Sequence, residues 1–149
     1  MNEFPAIAAL LPHGPEALAL DAVTAWEPGE RATARLTVRP DLILYDEAIQ
    51  GIPAWGSIEI MAQTLGVYAG LNAGSAEVKS SPGYLVGVRH FRVARAVLVK
   101  GLELDISAEC RHCETWGLAT FACRVRHAEE ELVSAVLSVW RPRPPDSTS

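Results

Sequence analysis

A single carboxylate, Glu59, stands close to the middle of residues 51–70, the most apolar continuous stretch of this 149-residue chain. Charged groups are seldom buried without a partner, so such a glutamate either faces a water-filled site or belongs to a polar network. Gln63 follows one helical turn later on the same face, where its amide can orient the carboxylate by a hydrogen bond. The pair predicts general acid–base chemistry, in which a positioned carboxyl group transfers a proton.

Two neighbours of this pair are candidate substrate-binding residues. Gly66 continues the same face without a side chain, so it either leaves room for a substrate or allows close packing of the helix. Trp55, near the start of the stretch, is expected to anchor a core or an interface, with stacking on a substrate as the alternative.

Residues 54–72 are predicted to form the long helix that positions these groups. Pro53 suits a helix start, and few charges lie on any side of the stretch. Apolar residues recur at i, i+3, i+4 and i+7, namely Ile58, Met61, Ala62 and Leu65. A helix that is apolar nearly all round is a buried helix.

The rest of the chain is dominated by strand patterns. A short helix is predicted at residues 5–11 and a hairpin turn at 27–30. The predicted strands are 17–26, 31–39, 84–93, 101–113, 116–127 and 131–141. An irregular connection at 40–53, a surface loop at 75–82 and a frayed tail at 142–149 complete the prediction.

These elements predict one α+β domain over residues 1–141, an antiparallel sheet of about six strands wrapped around one central helix. One face of the helix would still need cover, and an edge strand would stay open. A dimer that continues the sheet or packs helix on helix would remedy both.

Composition excludes several classes of function. The formal net charge is −5 and no basic run occurs, which argues against nucleic acid and against a polybasic membrane patch. No stretch reaches the roughly 20 apolar residues of a membrane span, and the N-terminus has no basic leader, so a cytoplasmic protein is expected. No metal or nucleotide cofactor is expected, because no phosphate-cradling glycine pattern or ligand cluster occurs.

Three cysteines, Cys110, Cys113 and Cys123, are expected to be free thiols. Their count is odd, and no signal peptide indicates an oxidising compartment. The C-R-H-C spacing of the first two invites a metal interpretation, but a closed zinc site needs four ligands and a second chelating pair is missing.

Three segments carry a family resemblance. Residues 10–23 are similar to an LLPH…LLxDRV opening, residues 53–63 to a P-G-x5-E-A-M-A-Q helix, and residues 85–93 to a G-x-x-x-x-R-F strand. Together they resemble the hot-dog superfamily, and within it the β-hydroxyacyl-acyl-carrier-protein dehydratases. The Pro-Ala-Trp variant at 53–55 most resembles the ApeP-like branch found with aryl polyene biosynthesis.

The resemblance implies dehydration of a 3-hydroxyacyl thioester, carried on the phosphopantetheine arm of acyl carrier protein, to the trans-2-enoyl thioester. It implies fatty acid or polyene-type biosynthesis, and a homodimer or a heterodimer with a related dehydratase. In the family, a histidine before the helix removes the α-proton, and the partner subunit's helix carboxylate serves the leaving hydroxyl. The match on Pro53 and Glu59 puts that histidine at Tyr45, so the standard base is absent.

His13 is the best replacement, because its turn borders the acyl tunnel in the resembling proteins and imidazole titrates near neutral pH. The alternative is a structural histidine that caps the N-terminal turn. Tyr45 and Asp46 are rivals, although a phenol with an ordinary pKa near 10 is a poor base and would rather donate a hydrogen bond to substrate. Backbone amides at residues 55–57 are expected to polarise the thioester carbonyl.

The remaining candidates are less specific. The histidines His90, His112 and His127 are expected to be surface or strand residues. A basic cluster either receives an acidic carrier protein or is a solvated strand face; it comprises Arg89, Arg92, Arg95 and Lys100.

The prediction is therefore a hot-dog dehydratase with Glu59 as acid and His13 as base. Two alternatives stay open. The same fold and carboxylate would serve a thioesterase that activates water, and the lost histidine would suit a non-catalytic acyl-binding subunit that partners an active dehydratase.

Overall fold

The computed structural model describes residues 4–11, 17–73, 83–114 and 116–143. Its helices are α1, Ile7–Leu10, and α2, Ser57–Ala73, and a 3-10 turn, Ala54–Gly56, leads into α2. Its strands are β1 Ala22–Glu27, β2 Arg31–Thr37, β3 Gly51–Pro53, β4 Tyr84–Val93, β5 Val97–Val99, β6 Glu103–His112, β7 Gly117–His127 and β8 Glu130–Arg141. The α+β class is confirmed.

Six strands form one antiparallel sheet in the order β1-β2-β6-β7-β8-β4. Short turns join β1 to β2 and β7 to β8, as expected from the sequence. Gly29 in the first turn has φ 75°, a conformation that glycine adopts without strain. Its amide donates to Oδ1 of Asn72 at 2.8 Å, which ties the hairpin to the end of α2.

The core lies between α2 and the concave side of β1, β2, β6 and β7. Met61 and Leu65 are buried as predicted, whereas Ile58 and Ala62 are only half-buried. The buried face is rotated from the predicted one and includes polar groups; it consists of Ser57, Ile60, Met61, Gln63, Thr64, Leu65, Val67 and Tyr68. The polar members are accommodated by hydrogen bonds, since the Ser57 and Thr64 hydroxyls donate to backbone carbonyls one turn back.

Two local predictions were wrong. Residues 17–21 are not part of β1, which begins at Ala22. Residues 40–53 are not wholly irregular, because β3 pairs antiparallel with β5 in a small second sheet. Residues 74–82 and 144–149, where the surface loop and most of the frayed tail were predicted, lie outside the described residues.

The expectation of three free thiols was wrong for two of them, because Cys110 and Cys113 form a disulfide. In a regular strand these two positions would face opposite sides. A register shift between Cys110 and His112 interrupts the alternation at the end of β6 and brings the two Cα atoms to 6.0 Å. Cys123 is free and buried as expected.

None of the helices in the described part of the chain combines the length and hydrophobicity that crossing a bilayer requires.

Candidate active site

Glu59 lies in the first turn of α2 and is half-buried. Its Oε2 accepts a hydrogen bond of 3.0 Å from Nε2 of Gln63, which is the i+4 pairing predicted from the sequence. The carboxylate is therefore held in one orientation near the positive end of the helix, where a negative charge is favoured.

Gln63 is fully buried and connects the helix to the N-terminal segment. Its Oε1 accepts from the amide of Ala19 at 2.9 Å, and its Nε2 also donates to the carbonyl of Ala17 at 2.8 Å. Both amide hydrogens are thus used, one on backbone and one on Glu59. Sequence reasoning did not find the backbone half of this network, because its partners lie more than 40 residues away along the chain.

His13 belongs to residues 12–16, which lie outside the described residues, so its role stays a prediction. Both flanks of that segment contact α2, however. Leu11 packs against Gly66, and the carbonyl of Ala17 binds Gln63. The residues on both sides of the segment 12–16 thus contact α2 within about two helical turns of Glu59.

Gly66 allows close packing at this place. A Cβ there would lie 2.5 Å from Cδ2 of Leu11, and one at Gly70 would lie 3.0 Å from Cδ2 of Leu10. The space beside Gly66 is thus filled by Leu11 in the single chain. A substrate contact at this position stays a prediction.

Tyr45, at the family's histidine position, lies on an ordered loop before β3. The loop is closed by backbone hydrogen bonds between Asp46 and Gly51, and Oδ1 of Asp46 accepts from the amide of Ala48 at 2.9 Å. Burial, and to a lesser degree the Glu47 carboxylate, raises the pKa of the Tyr45 phenol above its ordinary value. Tyr45 therefore stays protonated at neutral pH and is suited to donate a hydrogen bond rather than to act as a base.

The start of α2 is held by the small second sheet. The amide of Ala54 donates to the carbonyl of Ala96 at 2.8 Å, and the amide of Ser57 is used within the 3-10 turn. Of the amides expected to polarise a carbonyl, Ser57 thus already has a partner. Trp55 is 66% exposed, so it is not a core residue of the single chain and remains available to a ligand or a partner subunit.

The other histidines lie on strands or at the surface, as expected. His90 is on β4 with φ 54°, His112 lies 3.7 Å from Glu114, and Nδ1 of His127 is 2.9 Å from the carbonyl of Glu103. Within the described residues, no three histidine, cysteine or acidic side chains are grouped so that they could hold a metal ion.

The sequence matches a model of the ApeP-like family, described as ApeP dehydratase, over residues 5–149. No curated protein matches the sequence.

Similar solved structures share the hot-dog fold, which confirms the predicted architecture. The dehydratase heterocomplex ApeI:P from Xenorhabdus doucetiae is 22% identical with a TM-score of 0.82, covering 97% of this chain and 96% of that one. The conserved protein PA5202 from Pseudomonas aeruginosa is 15% identical with a TM-score of 0.60, covering 80% and 86% of the two chains. The E. coli PaaI protein from the phenylacetic acid degradation operon is 12% identical with a TM-score of 0.61, covering 80% and 82%. At these identities the likeness shows the fold alone.

Proposed function

This chain belongs to the ApeP-like dehydratase family, and from that premise we propose that it dehydrates 3-hydroxyacyl thioesters carried on acyl carrier protein. The product is the trans-2-enoyl thioester, and the setting is fatty acid or aryl polyene-type biosynthesis in the cytoplasm. The observation that carries the proposal is the Glu59 carboxyl group, fixed by Gln63 on the central helix of a hot-dog fold.

The reaction needs two proton transfers at neighbouring carbons. A base removes the α-proton, the electron pair forms the α–β double bond, and the β-hydroxyl leaves as water after it receives a proton from an acid. Glu59 serves the leaving hydroxyl. Amides at the helix start, around Trp55, stabilise the enolate-like oxygen that develops on the thioester carbonyl.

We assign the base to His13, since Tyr45 is protonated at neutral pH. Two contacts support this assignment. Leu11 and Ala17, one on each side of the segment that carries His13, both contact the helix that carries Glu59.

The first prediction tests Glu59 with the substitution Glu59→Gln, which keeps size and shape but removes the ionisable group. Dehydration of a 3-hydroxyacyl carrier protein should fall by about 10²-fold or more. The rate of enoyl formation is measured by mass spectrometry of the acyl group. Glu129→Gln, an exposed carboxylate of the β7–β8 turn, is the matched control and should keep the full rate.

The base is tested in the same assay. His13→Ala should abolish turnover while Tyr45→Phe costs little, and the wild-type rate should rise with pH through about 6–7 because a base must be unprotonated.

An unchanged rate in Glu59→Gln at normal stability would refute the role of Glu59 as the acid. Release of free carrier-protein thiol in place of enoyl product would indicate a thioesterase.

A second candidate function is a non-catalytic subunit that completes a heterodimer with a histidine-bearing dehydratase. Tyr45 at the family's histidine position favours it, and the ApeI:P heterocomplex is a solved assembly of this fold. The purified chain would then be inactive alone and regain activity when mixed with such a dehydratase. Turnover by the isolated chain would exclude this alternative.

A further inference from the structure

The disulfide between Cys110 and Cys113 has no part in the chemistry described above. It joins residues only three positions apart, in a C-x-x-C segment at the end of β6. In the cytoplasm, the setting proposed above and the one on which this inference rests, disulfides are rare and are usually transient members of a redox reaction. A disulfide in that setting is therefore expected to open and close.

The two cysteines are both half-buried but differ in their surroundings. Cys110 lies within β6 and pairs with the buried Phe121 of β7. Cys113 lies just beyond the last residue of β6, between the exposed residues His112 and Glu114. A thiolate that approaches from solvent therefore reaches the Sγ atom of Cys113 first, and the sulfur of Cys110 is the one that leaves.

The third cysteine takes no part in this exchange. Burial raises the pKa of the Cys123 thiol to about 12, so it is not a nucleophile at neutral pH. The residues between the paired cysteines are Arg111 and His112, both exposed. Positive charge beside a cysteine favours its thiolate, which is the form that leaves when the disulfide opens. Exchange is thus confined to Cys110 and Cys113.

The position of the disulfide allows it to open without opening the core. The register shift between Cys110 and His112 already interrupts the regular pairing of β6 with β7 at this end. Beyond it, Phe121 is held by its edge contact with the ring of Tyr68 on α2, with ring centroids 5.0 Å apart. Reduction therefore releases only the end of β6, while the aromatic contact keeps the hairpin on the helix.

We propose that Cys110 and Cys113 form a redox-active site that exchanges with a dithiol reductant. One thiolate of the reductant attacks the Sγ atom of Cys113 and forms a mixed disulfide, and the bond to Cys110 breaks with its electron pair on the Cys110 sulfur. The second thiol of the reductant then attacks its own sulfur in the mixed disulfide and releases Cys113. Two electrons pass to the chain, and the two protons lost by the reductant balance the two gained by the cysteines.

The spacing of the pair selects a dithiol over a monothiol. A monothiol such as glutathione would leave a mixed disulfide on Cys113, which the thiolate of Cys110 attacks at high effective concentration because it is only three residues away. That attack expels the monothiol and restores the original disulfide. A dithiol completes the reaction because its second thiol is tethered to the same mixed disulfide.

The test counts free thiols in the wild-type chain. The native protein is treated with oxidised glutathione or with a reductant, then acid-quenched, freed of reagent and titrated with a chromogenic disulfide in denaturant. One thiol, that of Cys123, is expected after oxidation. Three are expected after about 1 mM dithiothreitol without denaturant. Reduced glutathione should need at least about a tenfold higher concentration to reach the same count.

Single variants test the order of attack. With oxidised glutathione, Cys110→Ser should acquire one stable glutathionyl group on Cys113, detected by mass spectrometry of the intact chain. Cys113→Ser should be modified about tenfold more slowly, because its remaining thiol lies within the strand. The matched control, Cys123→Ser, should exchange like wild type with one thiol fewer at each step.

Two results would overturn the inference. A disulfide that resists dithiothreitol until the chain is unfolded would be a structural cross-link, and three free thiols after oxidation of the native chain would mean that the pair does not close. Both are measured on wild type, so the test does not depend on how well the variants fold. Since thiol counts do not depend on dehydration, failure here would leave the proposed function standing, and loss of dehydration would leave this site standing.

Discussion

Gln63 is the residue on which the geometry of the candidate site depends most. It is fully buried, donates both amide hydrogens and accepts one backbone hydrogen bond. The same side chain therefore fixes the orientation of Glu59 and fastens residues 17–19 to α2. Replacing it would leave two backbone groups without partners as well as release the carboxylate.

Gln63→Met, which has nearly the same length and flexibility, should lower the free energy of unfolding by about 2–4 kcal/mol. Most of the cost comes from the amide of Ala19 and the carbonyl of Ala17, which would lose their hydrogen bonds. Urea denaturation measures this change in the free energy of unfolding. Arg111→Met, at an exposed position on β6, should change stability by less than about 0.5 kcal/mol, and an equal loss in both variants would contradict the assigned role.

The buried thiol of Cys123 makes the stability of the fold depend on pH in the alkaline range. Burial raises the pKa of its thiol to about 12, so the native state keeps a proton that the unfolded chain releases from about pH 9 upward. Its contribution to stability is therefore complete below about pH 9 and is lost as the pH rises towards 12. Thermal melts across this window should fall more steeply for wild type than for Cys123→Ala; parallel curves would show that the thiol is not protected.

The residues of the site were only partly predictable. The Glu59–Gln63 pair follows from helical spacing, because residues four apart lie on one face. The attachment of Gln63 to residues 17–19 and the Cys110–Cys113 disulfide do not follow. The first joins groups far apart in sequence, and the second depends on a register shift that alternation cannot reveal.

At the scale of elements, the small sheet of β3 and β5 sets where α2 begins. Gly51 pairs with Val99, and any side chain at Gly51 would run into the backbone carbonyl of Leu98. Only a glycine lets the two strands approach this closely, immediately before the turn that leads to Trp55 and Glu59.

Gly51→Ala should therefore lower the free energy of unfolding by about 1–3 kcal/mol, the usual cost of overpacking. Gly87→Ala is the matched control, since its Cβ would lie 3.7 Å from Cβ of Ser138, an ordinary contact. Chemical denaturation measures the free energy of unfolding of the two variants. Equal values would show that β3 can move away from β5 to accommodate a methyl group.

The long elements and the short helix α1 were predictable, whereas the short strands were not. The central helix and the six strands of the main sheet follow from sustained apolar patterns, which require burial over many residues. The strands β3 and β5 have three residues each, too few to establish a period, and were missed. The pattern of residues 17–21 predicted a strand. In the structure the Ala19 amide donates to Gln63 instead of to a neighbouring strand. The Asp21 side chain accepts hydrogen bonds from the amide of Thr37 and from Arg39.

At the scale of the whole molecule, the sheet is wider than its single helix can cover. The packing of α2 on β1, β2, β6 and β7 accounts for the buried core, and β4 extends beyond it with apolar side chains exposed on its concave side. A second subunit would supply the missing cover. The sequence predicted the need for a second subunit, because one face of the central helix and an edge strand of the sheet would otherwise stay uncovered.

The final prediction separates assembly from folding. Val88 on β4 is 36% exposed whereas Met61 on α2 is fully buried, so a charge at the first position is tolerated by the single chain and a charge at the second is not. Val88→Glu should stay folded by circular dichroism but lose association in light scattering, because it places a charge in an interface that buries at least about 1,200 Å² in total. Met61→Asp should unfold outright. If Val88→Glu associates as strongly as wild type, the concave side of β4 is not the contact surface, and the cover for the open half of the sheet must be sought elsewhere.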